Sequence, residues 1–108
     1  MTYAFKGLMV LYRLTEGDAL ATRKRREDAR QNIEKMHDSA PGFQAHVGNK
    51  VGGGDRISMI VTRVNQDEFG PGNFGINGQA FLDGNDSLWV VSVQEGDQPG
   101  QWEAITNG

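Results

Sequence analysis

The sequence predicts an α+β domain: a mostly antiparallel sheet in the order β-α-β-β-β-β, with one long helix packed on one face. Three observations predict it. Residues 18–40 are the one long stretch with helical periodicity. The runs 57–64, 74–82 and 87–94 alternate inward and outward residues with the period of a strand. Clusters of glycine and proline punctuate these runs, and the chain holds 15 glycines. The 108 residues fit a single domain, 1–108, with a strand in 1–14, the helix in 18–40, and strands and Gly-rich loops in 43–105. A ferredoxin-like βαββαβ arrangement is the alternative, with 67–79 as its second helix.

Residues 3–14 read as a strand that is apolar on both faces. Phe5, Met9 and Leu11 alternate with Leu8, Val10, Tyr12 and Leu14. Such a strand belongs in the middle of a sheet, covered on each side. The helix has two competent N-caps, Thr15 and Asp18, and Thr15 with an acid three residues later approximates a capping box. Glu16 and Asp18 suit the positive end of the helix dipole. Ala40-Pro41-Gly42 ends it. At about 100° per residue, Ala19, Thr22, Arg26, Ala29, Ile33, Met36 and Ala40 share the inner face. Lys24, Asp28, Gln31, Lys35 and Asp38 fall opposite, towards water.

Beyond the helix, 43–47 reads as a short strand and the Gly-rich link 48–55 joins it to 57–64 as a hairpin. Residues 65–73 read as a loop. The strand 74–82 follows, with Asp83-Gly84 as a hairpin turn. In 87–94, Trp89, Val91 and Val93 face one way and Leu88, Val90 and Ser92 the other. That alternation suggests Trp89 in the core, but one helix covers only one face of a small sheet, so Trp89, Val91 and Val93, or else Leu88 and Val90, lie on a bare face that favours a dimer. Residues 101–105 form an edge strand or a docked tail.

The first half resembles the small dimeric α/β-barrel proteins, cofactor-free monooxygenases among them. The likeness lies in an apolar strand, the Thr15-Glu16-Gly17 turn, the helix, Ala40-Pro41-Gly42-Phe43 and a further strand. It spans 5–64 and is one of pattern. It breaks at the glycine-rich stretch, where those proteins carry a second helix, and it transfers no functional residue. The resemblance implies a dimer with a cleft between sheet and helix.

The net charge is −3, unevenly spread. Residues 1–50 hold nine Lys and Arg against six acids, and residues 51–108 hold two against eight. Polarity of this kind favours self-association or a charge-steered partner. The absence of cysteine excludes disulfides, thiolate metal sites and a cysteine nucleophile. Residues 2–14 are too short for a membrane span and lack a signal-peptide pattern. The expectation is a cytoplasmic protein with no membrane role.

No catalytic motif stands out. Arg23-Lys24-Arg25-Arg26 suggests nucleic acid, but four consecutive helical residues point in four directions. Acids at i+4 also pair with Arg23, Lys24 and Arg30. Arg26, on the inner face, either lays its stem along the core margin or reaches into a cleft. Arg26, Arg30, His46 and Tyr12 are therefore the candidate ligand or anion site. His37 and His46, the two histidines, match no zinc spacing. Gly52-Gly53-Gly54-Asp55 lacks the lysine and helix of a phosphate loop. Asp83-Gly84-Asn85-Asp86 lacks the full spacing of a calcium loop. No metal or cofactor is expected.

The acidic half carries aromatic anchors. Asp67, Glu68, Phe69, Phe74, Asp83, Asp86 and Trp102 are the candidate partner-binding residues, because aromatics within a polar rim are how interfaces are built. The leading expectation is a small non-enzymatic, dimeric protein that engages or inhibits a protein partner, itself basic, as an accessory protein of a phage or mobile element would. The alternatives are a cofactor-free small-molecule enzyme of the dimeric α/β-barrel type, and nucleic-acid binding through the basic helix.

Overall fold

A computed structural model describes residues 3–36 and 48–105, the side chains of 32–36 excepted. Its elements are β1 (Met9–Arg13), α1 (Glu16–Met36), β2 (Arg56–Asn65), β3 (Gly75–Phe81), β4 (Ser87–Val93) and β5 (Trp102–Ala104). The five strands make one antiparallel sheet in the order β4-β3-β2-β1-β5. One helix on an antiparallel sheet is the class that the alternation predicts. Residues 67–79 hold a turn and the start of β3 rather than a second helix, which removes the βαββαβ alternative. Gly70 and Gly72 adopt φ of 111° and 76°, conformations that a helix does not use.

β1 lies between β2 and β5, as its two apolar faces suggest. β2 has β1 on one edge and β3 on the other, so neither edge can accept the hairpin partner expected in 43–47. Residues 43–47 themselves lie outside the described residues.

Side-chain alternation sorts the sheet into an inner and an outer face. Val10 pairs with Met59, Met59 with Ala80, and Ala80 with Leu88, all facing inward. Gly78 lies in that inner set because Met59 fills the space where its Cβ would go, with Cγ and Sδ both 2.7 Å from that point. Register shifts interrupt β2 between Val61 and Arg63, and the β3–β4 ladder between Ile76 and Gly78. The second shift is made by Ser92, whose φ is 55°. It turns Val93 inward although Val91 points out, so the strict alternation read in 87–94 fails at its end.

The sheet curls until its two ends meet. Beyond β4 the chain runs beside β5: Trp102 donates its N–H to the Gln94 carbonyl at 3.1 Å, and Gly96 donates to the Trp102 carbonyl at 2.9 Å. On its other edge, the β5 segment accepts from Arg13 N–H through the Gln101 carbonyl at 3.1 Å. Trp102 is thereby held at the centre of the core and is 0% exposed. Phe74 packs near it, ring centroids 6.2 Å apart. This reverses the expected places of the two tryptophans. Trp102 is core, and Trp89 is 63% exposed on the outer face.

Helix α1 leaves the sheet at Leu14, which is fully buried. Thr15 is the N-cap: Asp18 donates its N–H to Thr15 Oγ1 at 2.9 Å, and Thr15 donates its own to Asp18 Oδ2 at 3.0 Å. This is a reciprocal capping box, and it starts the helix at Glu16 rather than Asp18. Ala19, Thr22 and Ala29 are buried, while Lys24, Asp28 and Gln31 are exposed, the two faces given by the helical period.

Candidate functional site

Two polar clusters anchor the helix, and both consume residues that the sequence offers for binding. The first is at its start. The Tyr12 hydroxyl donates to Asp18 Oδ2 at 2.6 Å. Burial, then the hydrogen bond to the Asp18 carboxylate, then its charge push the phenol well above its ordinary pKa. Tyr12 is a locked donor rather than a base.

The second cluster ties the helix to the connection between β3 and β4. Asp86 has a side chain with 0% exposure. Arg26 grips it bidentately, Nε to Oδ2 at 3.1 Å and Nη2 to Oδ1 at 2.9 Å, and Arg25 Nη2 reaches Oδ2 at 3.1 Å. The remaining Arg26 nitrogen, Nη1, donates to the Asn49 carbonyl at 2.6 Å. Asn49 in turn donates its N–H to the Asp83 carbonyl at 2.8 Å, and Nδ2 to Asp83 Oδ2 at 2.6 Å. Burial pushes the Asp86 carboxyl up, but the hydrogen bonds and charges of the two guanidiniums outweigh it, and the net shift is downward. Arg26 does reach an acid, one supplied by its own chain.

The proposed anion site is therefore not assembled. Tyr12 bonds to Asp18 in the first turn of the helix and Arg26 to Asp86 from its middle, and Arg30 lies at the surface, with Nη2 2.6 Å from Glu27 Oε1. His46 and His37 lie outside the described residues. Among the described residues no cluster of His, Asp or Glu is arranged to hold a metal ion.

Of the partner-binding candidates, Trp102 and Asp86 are buried, and Asp83 is exposed but bonded to Asn49. Asp67, Glu68 and Phe69 stand exposed in the turn between β2 and β3. That turn folds back on the outer face. Glu68 and the Phe69 ring cover Gly75, where any Cβ would collide with both. Glu68 Oε1 accepts from Asn65 Nδ2 at 3.0 Å, and Oε2 from the Ser92 hydroxyl at 2.5 Å. Phe74, half-buried, lines a shallow cleft of about 170 Å³ with Gly72, Asn73, Gln94 and Glu95. One carboxylate and no second titratable partner make that cleft a poor place for catalysis.

The bare face, left open in the sequence between Trp89 with Val91 and Leu88 with Val90, is the Trp89 side, and Phe81, Ile60 and Met9 join it without having been singled out. Trp89 sits opposite Gln79, and Phe81 opposite Ser87, so the two aromatics are diagonal neighbours. Phe81 is 49% and Val91 48% exposed. Ile60 and Met9 continue the Trp89 row across β2 and β1. Between Phe69 at one end and Phe81 at the other, the outer face mixes these apolar side chains with Arg63, Asn77, Gln79 and Ser87, and Asp67 and Glu68 stand at the Phe69 end. Arg13 and Arg56 face each other at the lower rim, where Arg56 Nε lies 2.5 Å from Glu103 Oε1. The signal for this surface was present in the sequence as Trp89 and Val91 on one side of β4.

No known protein family, curated protein or solved structure matches the chain. No helix among the described residues is long and apolar enough to cross a membrane.

Proposed function

We propose that this protein works by binding, with the outer face of its sheet as the contact surface for a protein partner. The carrying observation is Trp89, 63% exposed and flanked by Phe81 and Val91 on a regular sheet. Large exposed apolar side chains gathered around a tryptophan, with polar groups among them, favour association. A tryptophan within a ring of smaller groups is the usual composition of a binding hot spot. Asp67, Glu68 and Phe69 border the surface and give it an acidic, aromatic rim, which favours a partner with basic groups opposite. The enzyme reading loses support because Tyr12 and Arg26 are spent on Asp18 and Asp86. An accessory or inhibitory role, self-association and a cytoplasmic setting remain parts of the proposal.

Side-by-side capture from cell extract tests it. Wild-type chain and the Trp89→Ser and Phe69→Ser variants are immobilised at equal density. A protein retained by wild type and lost on Trp89→Ser is the expected result. Equal retention by wild type and Trp89→Ser would overturn the reading.

A further inference from the structure

We propose that Arg13 and Arg56, at the end of the outer face away from Phe69, form a binding site for a carboxylate group. The site does not depend on Trp89 and stands whether or not a protein partner covers that surface.

Val10, Tyr12 and Leu14 are buried, so Arg13 alternates to the outer face with Met9 and Leu11. Its cross-strand partner on β2 is Arg56. Like charges directly opposite each other on a sheet repel. One acid moderates this pair. Glu103 of β5 stands opposite Leu11, two residues along β1 from Arg13. Since β1 lies between β2 and β5, the Glu103 carboxylate reaches across β1 to Arg56, whose Nε is 2.5 Å from Oε1. Arg13 gains nothing from that contact. Its Nε is buried and has no hydrogen-bond partner. Among the described residues Arg13 also forms no ion pair. A buried donor on a charged group is costly to leave unsatisfied. Two guanidiniums and one carboxylate therefore leave one positive charge and one enclosed N–H without a counterpart.

A carboxylate fits that deficit. It carries a single negative charge and two acceptor oxygens in one plane, the counterpart of a guanidinium edge. The same chain shows such a demand met elsewhere: Asp86 takes Nε and Nη2 of Arg26 together with Nη2 of Arg25. At Arg13 and Arg56 the further acceptor comes from a ligand. Glu103 can give way to it, because the Arg56 and Glu103 side chains are 51% and 33% exposed and pairs this open to water are weakly held. A dianionic phosphate exceeds the one uncompensated charge and is repelled by a chain of net charge −3.

Anion titrations of the isotope-labelled full chain, at an ionic strength held constant with sodium chloride, read the site by NMR at the Arg13 and Arg56 signals and by thermal unfolding. Acetate probes a free acid, N-acetylaspartate methylamide a side-chain carboxylate, and inorganic phosphate the competing anion. Acetate or the capped aspartate should move both arginine signals saturably and raise the unfolding midpoint in step. Arg13→Gln and Arg56→Gln should each abolish the rise in midpoint while keeping the wild-type circular dichroism. Glu103→Gln removes the internal competitor and should tighten acetate binding by about two- to fivefold, the scale of an exposed ion pair. No saturable response beyond that to chloride overturns the proposal. So does acetate binding that survives Arg13→Gln or weakens in Glu103→Gln. Phosphate binding tighter than that of both carboxylates overturns the assignment of the ligand. A chain that ignores acetate yet loses its captured partner on Trp89→Ser removes this site alone and leaves the outer-face reading standing.

Discussion

Asp86 is the residue on which the helix–sheet connection turns. Its carboxylate is enclosed, and three guanidinium nitrogens from Arg25 and Arg26 replace the water it loses. Removing one partner of such an arrangement leaves buried charge uncompensated. Asp86→Ala should cost about 3 kcal/mol in a urea unfolding experiment. Its depressed pKa sets the pH behaviour. A carboxylate whose folded pKa lies below its unfolded value stabilises fully above the unfolded value, near 4, and loses that stabilisation as pH falls through the folded one. Unfolding midpoints should therefore drop on the acid side in wild type, and less in Asp86→Ala. Tyr12 acts in the opposite range. Its folded pKa is raised, so its contribution is complete below about 10 and fades as pH climbs above that. Tyr12→Phe should flatten the alkaline limb of a stability–pH profile. An identical alkaline limb in both chains would show that burial and Asp18 do not raise the Tyr12 phenol.

At the scale of elements, the helix start is local chemistry and was legible: Thr15 and Asp18 are three residues apart and cap each other. Thr15→Ala should lower stability by about 1 kcal/mol. The strands 56–65, 75–81 and 87–93 were legible to within a residue or so, because alternation with period two is also local. Which face buries was not. Trp89 sits among strand formers and Trp102 among Gln101, Glu103 and Ala104, yet Trp102 is the one that buries, because residues 94–96 meet β5. That closure joins ends distant in the chain and leaves no periodic trace. The Arg26–Asp86 pair spans 60 positions and is equally silent in sequence. Ser92 adds a third hidden feature, since one left-handed residue inverts the parity of Val93. Gly78 carries no sign of its packing role in the sequence, yet it makes room for Met59. Gly78→Ala should cost about 1–3 kcal/mol by overpacking, measured by thermal unfolding. A variant as stable as wild type would mean that Met59 has space to move.

For the whole molecule, charge decides between protein and nucleic acid as partner. A basic helix on an acidic chain looks at first like a phosphate-binding surface. The net charge of −3 works against it, and so does the way the cations are used. Arg25 and Arg26 hold Asp86, Arg30 holds Glu27, and Arg56 holds Glu103. Releasing any of them to a phosphate breaks an existing ion pair. Arg23 and Lys24 are exposed, but successive residues on a helix diverge by about 100° and cannot follow one phosphate track. Affinity for duplex DNA scales with counterions released, and log K falls with log salt by about 0.9 per phosphate contacted. Two contacts give a slope near −2, with weak binding even at low ionic strength. Fluorescence anisotropy with a labelled duplex, titrated at several salt concentrations, should return weak affinity and that shallow slope. Tight binding with a slope steeper than about −5, abolished in Arg23→Ala/Lys24→Ala, would instead mean that the ion pairs open on contact. The helix, not the outer face of the sheet, would then be the working surface.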